Sequence, residues 1–331
     1  MRRYVRVLLI LLVAAAAGLL LALERADHEV SLDSVLETWA DLVRDAGRIG
    51  LVVTQVSAAR ESEIGREIDR AIARRWRLLD KPDLHAYIVD VGSTLAPRVQ
   101  RRDIDYFFRI IDTPSVNAFA IPGGGIYITT GMLGFLQSEA ELAAVLGHEM
   151  IHVDFKHCIE RLQYELAARK IVGRDLAILA RIGYALALVG FSEQQELESD
   201  AAGALLAAGA SYDPHAARTV LERLAVVEAQ RKAPAQPAHV KGSRPPTTPG
   251  SEGKPPTMVA EAGASLKKAL EQYFATHPPA ATRIRHLQRV YERNAGAWRG
   301  HTFYVGRANY AERTPRFRAI YAGEWRYEPA H

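Results

Sequence analysis

The chain has one cysteine, Cys158, in 331 residues, so no intrachain disulfide can form and the fold must stand on its core. Excess charge of one sign is small too: 42 Lys and Arg against 38 Asp and Glu leave a net +4. Arg60, Arg66, Arg70, Arg74, Arg75 and Arg77 alternate with Glu and Asp, which describes a solvated helix face and gives no reason to expect a nucleic-acid partner. The glycine-rich stretch Pro122-Gly123-Gly124-Gly125 lacks the following Lys-Ser or Lys-Thr of a phosphate loop and joins strand to strand. Long uncharged apolar runs are missing from the body of the chain. Ile171 to Phe191 is mostly apolar but carries Arg174, Asp175 and Arg181, so it reads as a buried helix and not a membrane span.

One such run does occur, at the start. Arg2, Arg3 and Arg6 precede an apolar stretch from Val7 to Leu23, closed by Glu24 and Arg25. It reads as an export signal, either cleaved or kept as an anchor. Cleavage near Ala14 to Gly18 would leave Leu19 to Leu23 exposed, which favours an uncleaved anchor over residues 1–26. The preceding positive charge places the body outside the cytoplasm, at the cell envelope.

Residues 27–300 have the size and composition of a single domain, with 48% apolar and 24% charged residues in the whole chain. Helical periodicity covers Ser31 to Gly47, Ser57 to Leu79, and a segment capped by Asp83 that Pro97 ends. Between them and the next helix lie three segments rich in aromatic and branched residues. These are Asp105 to Asp112, Asn117 to Ile121 and Ile126 to Thr130, a small sheet whose last two strands form a hairpin with a flexible turn. Its edge strand is suited to pairing with an extended peptide. Ser192 with Gln195 forms a capping box for a helix that Gly209 closes, and Asp213-Pro214 opens the next. Seven of the 16 prolines fall between Pro234 and Pro256, marking 226–265 as a disordered insertion. Periodicity resumes from Leu266 to Tyr273 and again at Ile284, Leu287 and Val290. Residues 301–331 are read as a tail packed on the domain. The class is α+β, mainly helical.

The chemistry gathers on the helix after Ser138, where Ser138 and Glu141 suggest a capping box and no proline interrupts the run to Ala168. It contains His148-Glu149-Met150-Ile151-His152. Residues four apart share a helix face, so His148 and His152 can hold one metal ion, while Glu149 reaches a water without being a ligand.

A zinc site with two histidines needs a third protein ligand and one open position. A histidine six residues after His152 is excluded, because Cys158 stands there and Phe155 occupies the place of the required glycine. His157, about 140° around a continuous helix from His152, suits a supporting role. Glu196 and Asp200, four apart after Ser192, share a face, and one could bind zinc while the other hydrogen-bonds a ligating histidine. A solvated acidic face with Glu193 and Glu198 explains the same spacing, and spacing alone leaves both readings open.

Several separated motifs, in order, resemble the zinc metalloendopeptidases of family M48, which includes HtpX, the CAAX prenyl proteases and periplasmic BepA-type enzymes. They are Asn117-Ala118-Phe119-Ala120-Ile121-Pro122-Gly123-Gly124, Glu141 to Glu149 with His152 and His157, Glu196-Leu197-Glu198-Ser199-Asp200 with Gly203, and Thr276-His277-Pro278 with Arg283. The resemblance implies a zincin-like, gluzincin-type domain whose sheet edge flanks the active-site helix. It implies one Zn2+ per chain on His148, His152 and Glu196, with Asp200 and Arg283 supporting the ligands. Glu149 is the implied catalytic base. His277 is implied to lie over the zinc, stabilising the tetrahedral intermediate or occupying the open position at rest. The implied substrate strand includes Asn117, Ala118, Phe119, Gly123 and Gly124. Glu193 and Ser199 depart from the family's frequent Arg and Ala without removing a ligand.

The activity so implied is endoproteolysis of extended, unfolded or misassembled proteins, a quality-control role. The rival is a membrane-tethered, chaperone-like binding factor with a self-inhibited zinc site.

Overall fold

The computed structural model describes residues 56–168, 176–187, 190–232, 273 and 277–327. The chain divides into units 1–55 and 56–331, and every described residue lies in the second. The expected helix from Ser31 to Gly47, the apolar run from Val7 to Leu23, residues 233–265 of the expected insertion, and Leu266 to Gln272 all lie outside the described residues. Among the described residues, no helix is long and apolar enough to cross a membrane.

Helix α1 spans Ala58–Arg75, and Ser57 caps it by accepting from the Arg60 N–H. It ends four residues before the expected Leu79, because Leu78 leaves to bridge Ile111 at the sheet. Helix α2 covers Pro82–Leu95. Asp83 is not its cap. Lys81 holds that position without a side-chain bond, and Pro82 opens the helix with its fixed φ.

Three strands follow, β1 (Phe107–Ile111), β2 (Ala118–Ile121) and β3 (Gly125–Thr129), in the order β1-β3-β2. β1 is parallel to β3, and β2 is antiparallel to it as the hairpin's outer strand. The Thr129 N–H donates to the Asn117 carbonyl at 3.1 Å. Antiparallel pairs alternate, so the backbone groups of Ala118 and Ala120 turn away from β3 toward the edge. The hairpin turn is not flexible. Gly123 and Gly124 are buried with φ of 82° and 92°, and the Gly123 N–H donates at 3.1 Å to Glu61, itself gripped by Arg101. Added Cβ atoms there would lie 2.8 Å from the Glu61 carbonyl oxygen and 2.3 Å from that of Asp105, so glycine is needed for both φ and space.

Short helix α3 (Thr130–Phe135) leads to α4 (Glu139–Asp154), which crosses the core. Ser138 accepts from the Glu141 N–H, but the return bond of a capping box is absent, because the Glu141 carboxylate accepts from the Gln137 N–H and pairs with Arg223. Nor does the helix continue to Ala168. Phe155 and Lys156 break it, Lys156 with φ 64°, and α5 (His157–Ala168) sets off anew. Helices α6 (Leu176–Ala187), α7 (Glu193–Gly209) and α8 (Ala216–Lys232) follow. The α7 capping box is complete, with Ser192 and Gln195 bonding reciprocally. Since α8 runs to Lys232, the first seven residues of the expected disordered insertion are helical.

Helix α9 (Ala280–Trp298), β4 (Thr302–Tyr304), α10 (Arg307–Glu312) and β5 (Trp325–Tyr327) complete the described chain. The carbonyls of Gly306 and Val305 accept from the Glu139 and Ala140 N–H groups, both at 3.0 Å. The C-terminal segment thereby satisfies first-turn donors of α4 that have no intrahelical partner. One apolar cluster, including Leu142, Leu146 and Met150, surrounds α4, and a second, including Ile64, Ile68 and Tyr127, lies between α1 and the sheet.

Candidate metal centre

Two glycines set the distance between α4 and α7. A Cβ on Gly203 would stand 2.9 Å from the His148 backbone nitrogen, and one on Gly147 would stand 3.2 Å from the Gly203 carbonyl oxygen. The backbones touch where a side chain on either would hold them apart. Across this contact α4 presents His148 and His152, and α7 presents Glu196 and Asp200 one turn apart.

His148, His152 and Glu196 form a buried group whose ligand atoms lie within 4.8 Å of one another. The two Nε2 atoms are 3.2 Å apart, and Glu196 oxygens lie 3.5 Å from His148 Nε2 and 3.7 Å from His152 Nε2. Glu196 is 0% exposed, and its Oε1 has no hydrogen-bond partner. Burying such an atom is costly. Three lone-pair atoms converging around an orphaned carboxylate oxygen fit a metal ion.

Each histidine of the group is held from behind. His148 Nδ1 lies 3.1 Å from Asp200, whose two oxygens accept from Arg283 at 2.7 and 2.6 Å. Arg283 also donates to the Tyr273 hydroxyl at 2.6 Å. On the other side, His152 Nδ1 meets His157 Nδ1 at 3.0 Å, and His157 Nε2 lies 3.4 Å from Glu198. The break after Asp154 creates this second support, since it swings His157 back onto His152. Phe191 stacks on the His152 ring with centroids 3.8 Å apart. With each Nδ1 engaged, the Nε2 atoms are left to face the shared centre.

Electrostatics agree with a cation there. Burial opposes charging His148, but Asp200 and Glu196 outweigh it and lift the metal-free imidazole to about 10, so that a bound cation takes the place of that proton on Nε2. Burial likewise opposes ionising Glu196, yet His277, His148 and Arg283 hold it well below its ordinary value. Asp200 falls to about 2 because Arg283 overcomes its burial. Glu149 is 3% exposed and pushed upward, chiefly by burial, against the pull of His148 and His277.

His277 comes to the site from outside α4 and α7. Its Nδ1 is 2.7 Å from Glu196 Oε2, and its ring stacks on Tyr273 with centroids 4.3 Å apart. Of the substrate-strand residues, Ala118 lines the same pocket as His148, Glu149 and His277. Asn117 is buried with an unpartnered Oδ1. Phe119 stacks on Tyr127 in the second cluster, and Gly123 and Gly124 belong to the buried turn, so these three are not brought to the pocket. Tyr273 and Phe191 were not singled out from the sequence. Tyr273 stands four residues before His277, a usable signal, whereas nothing local marks Phe191.

The model of Peptidase family M48 matches residues 82–291. The chain is 33% identical over 135 residues to the mitochondrial metalloendopeptidase OMA1 of Schizosaccharomyces pombe, covering 39% of this chain and 40% of that protein. Against OMA1 of Arabidopsis thaliana it is 35% identical over 127 residues, 35% of this chain and 25% of the relative. Against the beta-barrel assembly-enhancing protease of Escherichia coli it is 24% identical over 205 residues, 57% and 41% respectively. The matched regions thus span about two fifths or less of these relatives' lengths.

Proposed function

The chain belongs to peptidase family M48, and on that premise we propose that it is a zinc-dependent endopeptidase acting on unfolded or misassembled proteins at the cell envelope. The observation that carries the reading is the buried His148–His152–Glu196 triplet beside Glu149. Two imidazoles and a carboxylate are a donor set suited to zinc, one per chain. When bound, zinc supplies Lewis acidity that makes water nucleophilic near neutral pH and polarises a carbonyl.

Glu149 takes the proton from the attacking water and delivers it to the leaving amine. His277 stabilises developing oxyanion charge. Asp200 and His157 fix the ring orientations of His148 and His152, and Arg283 keeps Asp200 ionised. An extended substrate pairs with the Ala118 and Ala120 backbone at the β2 edge in this zincin-like arrangement. The peptidase domain is assigned to 27–300 and a membrane anchor or signal to 1–26. The relatives' names, a mitochondrial metalloendopeptidase and a beta-barrel assembly-enhancing protease, support the envelope quality-control role.

Casein cleavage by the zinc-loaded protein tests this. Glu149→Gln should retain one zinc per chain and lose about 10²–10⁴-fold in rate; undiminished turnover by that variant refutes the assignment. The contact of His277 with Glu196 favours a second reading, a self-inhibited binding factor. Zinc-loaded protein that cleaves nothing either as wild type or as His277→Ala would select it.

A further inference from the structure

Solvent-exposed apolar side chains gather in one short segment near the C-terminal end of the domain. Of the seven exposed large apolar side chains among the described residues, Phe317, Ile320, Trp325 and Tyr327 fall within eleven residues of sequence. The other three, Tyr164, Leu205 and Val226, stand singly on α5, α7 and α8, as surface apolar residues commonly do. The segment also closes on itself in space. The Tyr321 N–H, next to Ile320, donates to the Tyr304 hydroxyl at 3.1 Å, and the Trp325 ring meets the Tyr304 ring with centroids 4.9 Å apart. Tyr327, two residues on in β5, shares the Trp325 face of the ribbon.

This exposure is built into the loop. Buried Asn309 donates to the carbonyls of Thr314 and Ala319, both at 2.8 Å, and Arg316 donates to the Ser211 carbonyl at 2.9 Å. The chain is thus anchored on both sides of Phe317, yet Phe317 and Ile320 stay 59% and 64% exposed. Between Gly306 and Tyr327 there are five arginines against two glutamates. Both glutamates are engaged within the segment: Glu324 accepts from the Arg307 and Ala308 N–H groups at 2.8 and 2.9 Å, and Glu312 accepts from the Tyr321 hydroxyl. Arg318 and Arg326 are exposed beside the apolar residues, and their ion pairs with Asp90 and Asp213, at 3.5 and 3.4 Å, are long surface contacts of small worth.

We infer that this segment docks on an anionic bilayer surface, with Phe317, Ile320, Trp325 and Tyr327 entering the headgroup boundary and Arg318 and Arg326 pairing with lipid phosphates. Such a bilayer meets both needs in one surface: phosphates at the level of the guanidiniums, and apolar chains directly beneath, at the boundary where amphipathic Trp and Tyr rings settle. The patch uses no residue of the metal site, so the inference is independent of the peptidase reading.

A local probe in the full chain tests it. Ala322→Cys, exposed between Ile320 and Trp325, carries an environment-sensitive dye, and Val226→Cys carries it as the control; Cys158 is buried and stays unlabelled. Each protein is mixed with vesicles of phosphatidylcholine alone, or of equal parts phosphatidylcholine and phosphatidylglycerol, containing a brominated lipid as quencher. Expected is quenching at 322 that needs phosphatidylglycerol, exceeds that at 226, and fades near 1 M salt, where the screening length is about 3 Å. Arg318→Gln with Arg326→Gln should lower the docked-to-undocked ratio about 30-fold, at about fivefold per cation near an anionic surface. Phe317→Ser with Ile320→Ser, which leaves every charge in place, should weaken docking too. Quenching at 322 no greater than at 226, or indifferent to phosphatidylglycerol, overturns the inference. So does a dye response at 322 that grows with protein concentration and needs no lipid, which assigns the patch to a second copy of the chain.

Discussion

Arg283 grips Asp200 through both carboxylate oxygens, at 2.7 and 2.6 Å, across 83 residues of sequence. Both side chains are buried, and Asp200 in turn lies 3.1 Å from the Nδ1 of His148. A charge pair thus fixes one imidazole of the candidate metal group.

Asp200→Asn should therefore weaken zinc binding by about 10–100-fold, because the amide still occupies the space but supports His148 less strongly, and it should also lower stability, because the buried Arg283 loses its carboxylate partner. Competition with a chromophoric chelator reads the affinity. Arg283→Ala should cost about 3–5 kcal/mol in urea unfolding, since it leaves a buried carboxylate without its partner. An unchanged chelator competition curve for Asp200→Asn would remove the orienting role.

Gly203→Ala should be harmful out of proportion to one methyl group. Its Cβ would meet the His148 backbone nitrogen at 2.9 Å, and forcing α4 from α7 should cost about 1–3 kcal/mol together with zinc affinity. Gly296→Ala on α9 is the control, because nothing lies within 4 Å of the added atom. It should stabilise by about 0.5–1 kcal/mol. Equal effects of the two substitutions would contradict the close approach.

A pH dependence follows from Glu139 at the start of α4. Burial raises its carboxyl above the ordinary 4.5, against lowering by Tyr212, the Arg316 N–H and Tyr87. The folded state thus holds the proton more tightly than the unfolded one. Its contribution to stability is present in full below about pH 4.5 and declines as pH rises through the folded value. Glu139→Gln should abolish that decline, as read by denaturant unfolding between pH 4 and 8. Parallel profiles for the two proteins would exclude Glu139 as the source.

Stripping the metal with a chelator should lower stability, because an ion bound only by the folded chain stabilises it. At free zinc 100 times Kd the loss is about 2.7 kcal/mol. Glu196→Gln should show a much smaller zinc-dependent rise in Tm, and an unaltered rise would mean that Glu196 is not a ligand.

Local signals in the sequence reached far into this site. The four-residue spacings of His148 with His152 and of Glu196 with Asp200 follow from helix periodicity, and Ser192 with Gln195 marked the start of α7. What misled was continuity. The absence of proline after Asp154 suggested one helix to Ala168, but the chain turns at Lys156 with φ 64°, and that turn brings His157 to His152. The glycines at 123 and 124 looked like a flexible turn, although their backbone is pinned by Glu61 and crowded by Asp105.

By itself, then, the sequence determined the pair of helical histidines with an adjacent base, the acidic pair on a later helix, and the hairpin. Periodicity reports which residues share a face of one element, and those groupings need no knowledge of neighbours. Only the tertiary structure decided what each face meets. It distinguished Glu196 at the histidines from a solvated acidic face, set His277 and Tyr273 above it, joined Arg283 to Asp200, and put the carbonyls of Val305 and Gly306 on the first turn of α4. Such contacts join residues tens to more than a hundred positions apart, and they depend on how closely two backbones can pack, as Gly147 and Gly203 allow here.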